Sequence, residues 1–152
     1  MNINYKFERK MKKILYLLII IPLLSLAKDK KSLSIDETLP IPNYKMKSVD
    51  GSFYSLNDLK TNEGILIIFT CNTCPFVVGN QSMQGWQGRY NEIYDLCKRN
   101  RIGMVLVNSN EAKRGNVDSF TEMQKHSENQ KYDAPYVMDR DLSLIHISEP
   151  TR

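Results

Sequence analysis

The residues that most constrain the fold of this chain are the apolar, β-branched run Ile65–Thr70 and the Cys71-Asn72-Thr73-Cys74-Pro75 that follows it without a gap. A run of that length and composition reads as a central strand covered on both faces. The spacing predicts a helix from Cys71 onward, because residues three apart lie side by side on a first turn, where two sulfurs can close a small disulfide ring. Free N–H groups and partial positive charge at a helix start favour a thiolate, so Cys71 is expected to carry a lowered pKa and to act as nucleophile. Cys74, expected to lie deeper, is the resolving thiol that would attack back on Cys71. Asn72, Thr73 and Pro75 support the pair. A structural disulfide or half of a metal site would use the same two residues; the strand-end placement and Pro75 favour redox chemistry.

A chain of 152 residues with 41% hydrophobic content is one domain's worth of material and can build a core. The formal charge of +4 is modest. Its Lys and Arg residues are scattered or gathered at the N-terminus, with no basic stripe interleaved with aromatics, which excludes a nucleic-acid partner. Three cysteines are too few for a disulfide-stapled miniprotein and fit one pair plus a spare.

The ends read differently from the middle. Met11-Lys12-Lys13 is a basic start, 14–24 is an apolar stretch broken by Pro22, and Ser25-Leu26-Ala27 supplies small residues at a cleavage site. Residues 1–27 are therefore expected to be an N-terminal extension and secretory signal, with Met11 an alternative start. The run falls short of the ~20 residues that a membrane span needs. Cleavage after Ala27 would release the rest into the periplasm or cell envelope of a bacterium, with membrane contact only through an uncleaved signal. Lys28, not cysteine, follows Ala27, so no lipid anchor is indicated. At the other end, residues 142–152 resemble, residue for residue, the translated adapter of a sequencing library. On that reading His146 and Pro150 carry no function and the domain, 28–141, is incomplete.

Between the ends strands alternate with helices. Residues 44–49 and 52–55 flank Asp50-Gly51, a hairpin signal. Ser55 with Asp58 resembles a capping box opening a short helical turn through Leu59. Gly79, Gly85 and Gly88 interrupt the helix after the cysteines, before an amphipathic segment on which Trp86, Tyr90, Ile93, Tyr94 and Cys97 recur at helical spacing. Trp86, Tyr90 and Cys97 are expected in the core. A second buried strand is expected at 104–107, then a helix capped by Asn116 and carrying Val117, Phe120 and Met123, then a short strand Tyr136–Met138. His126 is expected to be solvated. Asn108, Ser109 and Asn110 follow a strand at the same sheet end as the cysteines, where they would line the site or cap the next segment.

This order, with a dithiol at the C-terminal end of a strand, resembles the thioredoxin fold from about Leu39 to Asp141. It is most similar to the redoxin branch related to the alkyl hydroperoxide reductase and thiol-specific antioxidant proteins. The residues that carry the resemblance are Asp50-Gly51 with 56–59, the strand and Cys71-Asn72-Thr73-Cys74-Pro75, Trp86 with Arg89-Tyr90-Asn91-Glu92, Val107-Asn108-Ser109-Asn110, and Ala134-Pro135-Tyr136-Val137-Met138-Asp139. The resemblance implies a three-layer α/β/α sandwich, cut before the family's cis-proline strand and last helix, so that a sheet edge stays open. Thr70 stands where thioredoxins place a tryptophan.

For function, the resemblance implies an exported thiol–disulfide oxidoreductase. It would need no cofactor or metal, and its partners would be disulfide-bearing proteins and a dithiol electron donor or acceptor. Two alternatives remain. One is a copper-binding metallochaperone using the two soft thiolates, with His126 as the candidate third ligand. The other is a peroxiredoxin-like thiol peroxidase, whose P-x-x-x-T-x-x-C pattern finds Ile68 rather than Thr three residues before Cys71.

Overall fold

A computed structural model describes residues 37, 39, 43–142, 144 and 145. The expected signal segment and most of 142–152 lie outside the described residues. Among those described, no helix is long and apolar enough to cross a membrane.

The chain enters the sheet through a hairpin of β1 (Met46–Ser48) and β2 (Phe53–Tyr54), paired antiparallel with Met46 opposite Tyr54. The Asp50-Gly51 signal places the turn. Gly51 adopts φ 89°, open to glycine at little cost, and Asp50 Oδ1 accepts from Ser52 N–H at 2.8 Å. Helix α1 (Leu56–Leu59) opens with the expected capping box: Ser55 Oγ accepts from Asp58 N–H, and Asp58 Oδ2 accepts from Ser55 N–H at 2.8 Å.

Strands β3 (Ile65–Thr70), β6 (Gly103–Asn108) and β7 (Tyr136–Met138) run parallel, with Thr70 opposite Asn108 and Asn108 opposite Met138. Strand β1 joins the far side of β7 antiparallel, giving the order β2-β1-β7-β6-β3. Strand β6 is buried along its whole length and splits by period two. Met104 and Leu106 face the helices α3 (Tyr90–Arg99) and α4 (Phe120–Gln130), through Tyr90, Cys97 and Met123. Val105 and Val107 face Met46, Leu56 and Leu144 on the other side. Each such side chain contributes roughly 1.5–3 kcal/mol by burial, so β6 is the strand on which the layers are hung. The result is a thioredoxin-like α/β fold with a mixed sheet between helices.

Two expectations change. Strand β3 is not central: among the described residues it pairs only with β6, and Leu66 is 37% exposed. A continuous apolar run reports covered faces, not covered edges, so the sequence could not separate β3 from β6. Helix α4 is capped by Ser119, whose hydroxyl accepts from Glu122 N–H, and not by Asn116. Asn116 and Val117 lie in the preceding turn, because Asp118 is turned inward and the helix starts after it.

Candidate functional site

Helix α2 (Pro75–Val78) is four residues long, and its N-cap is Cys74. Pro75 takes the first helical position, where its missing N–H costs nothing. Cys71, Asn72 and Thr73 thus lie in a turn before the helix, contrary to the expected helix start at Cys71. The chain then folds back in a small hairpin, β4 (Gly79–Asn80) with β5 (Met83–Gln84), that the sequence reading did not anticipate. Its close approach explains Gly85, where a Cβ would run into Val77 O and Gly79 N. A 3-10 turn, Trp86–Arg89, leads into α3.

Both cysteines are free thiols and half-buried, so burial does not set an outer thiol apart from an inner one. Cys74 N–H donates to Cys71 Sγ at 3.2 Å. They share a cavity of about 310 Å³ with Phe69, Thr70, Val77, Ser109, Asn110 and Ile145. Burial pushes the Cys71 thiol above its ordinary value, and the nearby Cys74 and Asp118 charges push the same way, against the backbone N–H groups of Thr73 and Cys74. This reverses the expected sign. The short helix contributes little field, while desolvation at the strand end acts in full.

Behind the turn lies a buried polar network. Asp118 Oδ1 accepts from Asn72 N–H at 2.7 Å and from Asn108 Nδ2 at 3.0 Å, and its Oδ2 accepts from Asn110 Nδ2 at 2.7 Å. Asn72 Nδ2 donates to Val117 O at 2.9 Å, and Asn72 Oδ1 accepts from the Tyr136 hydroxyl at 2.9 Å. Tyr136 OH in turn accepts from Asn108 Nδ2 at 3.0 Å. The Tyr90 hydroxyl meets Thr70 Oγ1 at 3.0 Å, directly before Cys71. Burial raises the pKa of Tyr90, Tyr132 and Tyr136, which keeps their hydroxyls protonated. Lys113 Nζ donates to Thr73 Oγ1 at 3.2 Å from the rim.

Of the residues expected at the site, Cys71, Asn72, Thr73, Cys74, Ser109 and Asn110 come together, and Asn108 anchors the layer beneath. Tyr90 and Cys97 are in the core as expected; Trp86 is not, being 55% exposed, with the Arg89 guanidinium 5.3 Å from its ring centre. The helical stripe overshot because the 3-10 turn breaks the phase between Trp86 and Tyr90. His126 is half-buried, not solvated. Its Nε2 lies 2.9 Å from Gln87 Oε1, its ring meets Tyr132 edge-on, and burial lowers its pKa against the Asp118 charge. Among the described residues no group of three or more His, Cys, Asp or Glu side chains could hold a metal ion. Asp118, Tyr136 and Lys113 were missed. The only sequence signal for them was the polar Asn108-Ser109-Asn110 closing a fully apolar strand, which implies partners underneath.

No family model matches the chain, and no curated protein matches it. Among solved structures, an uncharacterized conserved protein from Geobacillus kaustophilus is 29% identical with TM-score 0.57, over 65% of this chain and 50% of that one. A hypothetical protein from Sinorhizobium meliloti 1021 is 21% identical with TM-score 0.57, over 66% and 52%. A PrxQ mutant from Xylella fastidiosa aligns more loosely, at 16% identity and TM-score 0.46 over 71% and 59%, too distant to inform on activity. The chain spans about half the length of the first two structures.

Proposed function

We propose that the chain is part of a thiol–disulfide oxidoreductase that works through Cys71 and Cys74. The observation that supports this most is the pair itself: two free thiols at the end of β3, in one cavity, with Cys74 N–H aimed at Cys71 Sγ at 3.2 Å. Cys71, once deprotonated, attacks a substrate disulfide and expels one substrate thiolate, which leaves a mixed disulfide. Cys74 gives up its proton and attacks Cys71 Sγ, expelling the second substrate thiolate and closing the Cys71–Cys74 disulfide. Two electrons pass to the substrate, and a dithiol donor restores the pair; the reverse sequence oxidises a substrate dithiol.

The N–H bond to Cys71 Sγ stabilises the thiolate that must form before attack, even though the resting thiol is protonated. Partners on this reading are disulfide-bearing proteins and a small or protein dithiol, met outside the cytoplasm if 1–27 directs export. Residues 142–152 are proposed on the same footing to be adapter-derived. Leu144 fills an apolar space, which a leucine of either origin would do; reading the genomic locus past Asp141 tests the point.

The test of function is acceleration of insulin disulfide reduction by dithiothreitol, using the full natural chain. Cys71→Ser should abolish it, and Cys74→Ser should accumulate a mixed disulfide with substrate. Undiminished activity in Cys71→Ser removes the assigned nucleophile. Stoichiometric, tight Cu(I) binding without reductase activity would put the metallochaperone reading first.

A further inference from the structure

We propose that Asp118 is the positioning residue of the dithiol: its buried carboxylate pins the Cys71–Cys74 turn to the end of β6 and keeps a fixed negative charge behind Cys71. This rests on the reading of the two cysteines as a redox pair.

The geometry carries it. Asp118 is 1% exposed, and both its oxygens accept only from N–H donors. That is the pattern of an ionised carboxylate, since a protonated one would turn an O–H toward a donor. Of the three donors, one is the backbone N–H of Asn72, the residue after the nucleophile. The other two, Asn108 and Asn110, hold the carboxylate in line with the end of β6. The carboxylate therefore sets where the Cys71 turn sits relative to the cavity, without touching either sulfur in a hydrogen bond.

Among the described residues no ion pair to Asp118 is formed, and the titratable side chain that feels its charge from α4 is His126, half-buried, with its pKa lowered by burial. The groups around Cys71 are Cys74 from its own turn, Tyr90 from α3, Tyr132 and Tyr136 from the segment around β7, and Lys113 at the rim, bound to Thr73. The tyrosines are neutral and Lys113 is exposed, so Asp118 adds a buried negative charge to the burial and the Cys74 charge that already push the Cys71 thiol up. The consequence is a nucleophile kept as a thiol at rest.

The experiment measures the pH dependence of Cys71 alkylation by iodoacetamide in the full natural chain carrying Cys74→Ser and Cys97→Ser. Asp118→Asn keeps the shape and removes the charge. Its alkylation midpoint should fall by about half a pH unit or more, which is about a threefold faster reaction at any pH well below the midpoint. Asn110→Ala removes a neutral donor and leaves the charge, so its midpoint should stay or rise. A fall of similar size in both variants would mean simple loosening and overturns the proposal, as does an unchanged midpoint in Asp118→Asn. Should Asp118→Asn fail to fold, the Asn110→Ala result alone decides, a fall again overturning it. Glutathione titration of the chain with Cys71 and Cys74 intact separates the two readings: if no disulfide forms, the redox reading fails and this proposal goes with it; if one forms, the alkylation profiles decide on Asp118.

Discussion

The hydroxyl of Tyr136, on β7, donates to Asn72 Oδ1 at 2.9 Å, joining the residue after Cys71 to a strand 64 positions further along the chain. Both residues are buried, and the same hydroxyl accepts from Asn108. Tyr136→Phe keeps the ring and leaves one acceptor on Asn72 and one donor on Asn108 short of a partner. A buried polar group left unpaired costs about 1–3 kcal/mol, so a loss of about that size is expected in urea denaturation of the full natural chain. Stability equal to the parent would show that water or a shifted Asn72 satisfies the atoms and that the network is slack.

A second prediction concerns pH. The Cys71 thiol ionises above its ordinary value of 9.0 in the folded protein, chiefly through burial. For a group raised on folding, the folded state binds more protons than the unfolded one between the two pKa values, so stability falls with pH there. The contribution from the buried thiol is fully present below about pH 9 and is lost as pH rises beyond it. Thermal melts from pH 7 to 10 should show that decline, and Cys71→Ser should remove part of it. A parent whose stability rises over the same range would mean that the thiolate is favoured on folding and that the helix-start argument was right after all.

At acid pH the relevant group is Asp58. Its bond from Ser55 N–H, aided by Lys45 Nζ at 2.9 Å, holds the carboxyl down to about 2. The sign is now opposite. Stability from the capping box is present above the ordinary value of 3.8 and is lost as pH falls toward about 2. Asp58→Asn, which keeps the shape and removes the titrating carboxyl, should flatten that acid limb. An unaltered limb in the variant would place the acid sensitivity elsewhere.

How far the sequence could be read follows from what each residue depends on. Ser55 with Asp58 and Asp50-Gly51 are local devices whose partners lie within three residues, and both were legible; the helix start at Pro75 was not, being expected at Cys71. Strands β3, β6 and β7 were legible because apolar runs survive any topology. The edge position of β3 was not, because pairing depends on chain far away. Asp118 was missed for the same reason. A buried aspartate differs from a surface one only by the Asn72, Asn108 and Asn110 donors around it, and these lie from eight to 46 positions away. The sign of the Cys71 shift needed the depth of the turn, which no spacing reports.

The last prediction follows from the broken stripe between Trp86 and Tyr90. Trp86 is the single tryptophan of the chain, and it lines a surface cavity of about 220 Å³ with Phe76, Met83, Gln84, Gly85 and Arg89. Tyr90, four residues on, is 2% exposed and packs against Tyr132 at 5.5 Å between ring centres. Two aromatic residues one helical turn apart should therefore respond very differently to truncation. Trp86→Ala should change stability by less than about 1 kcal/mol, whereas Tyr90→Ala should cost about 3–5 kcal/mol, the range for emptying a buried aromatic site. Native fluorescence should also be that of a hydrated indole, quenched readily by acrylamide and little shifted on unfolding. A blue emission maximum, or a Trp86→Ala cost equal to that of Tyr90→Ala, would place the indole in the core and restore the single continuous helical stripe.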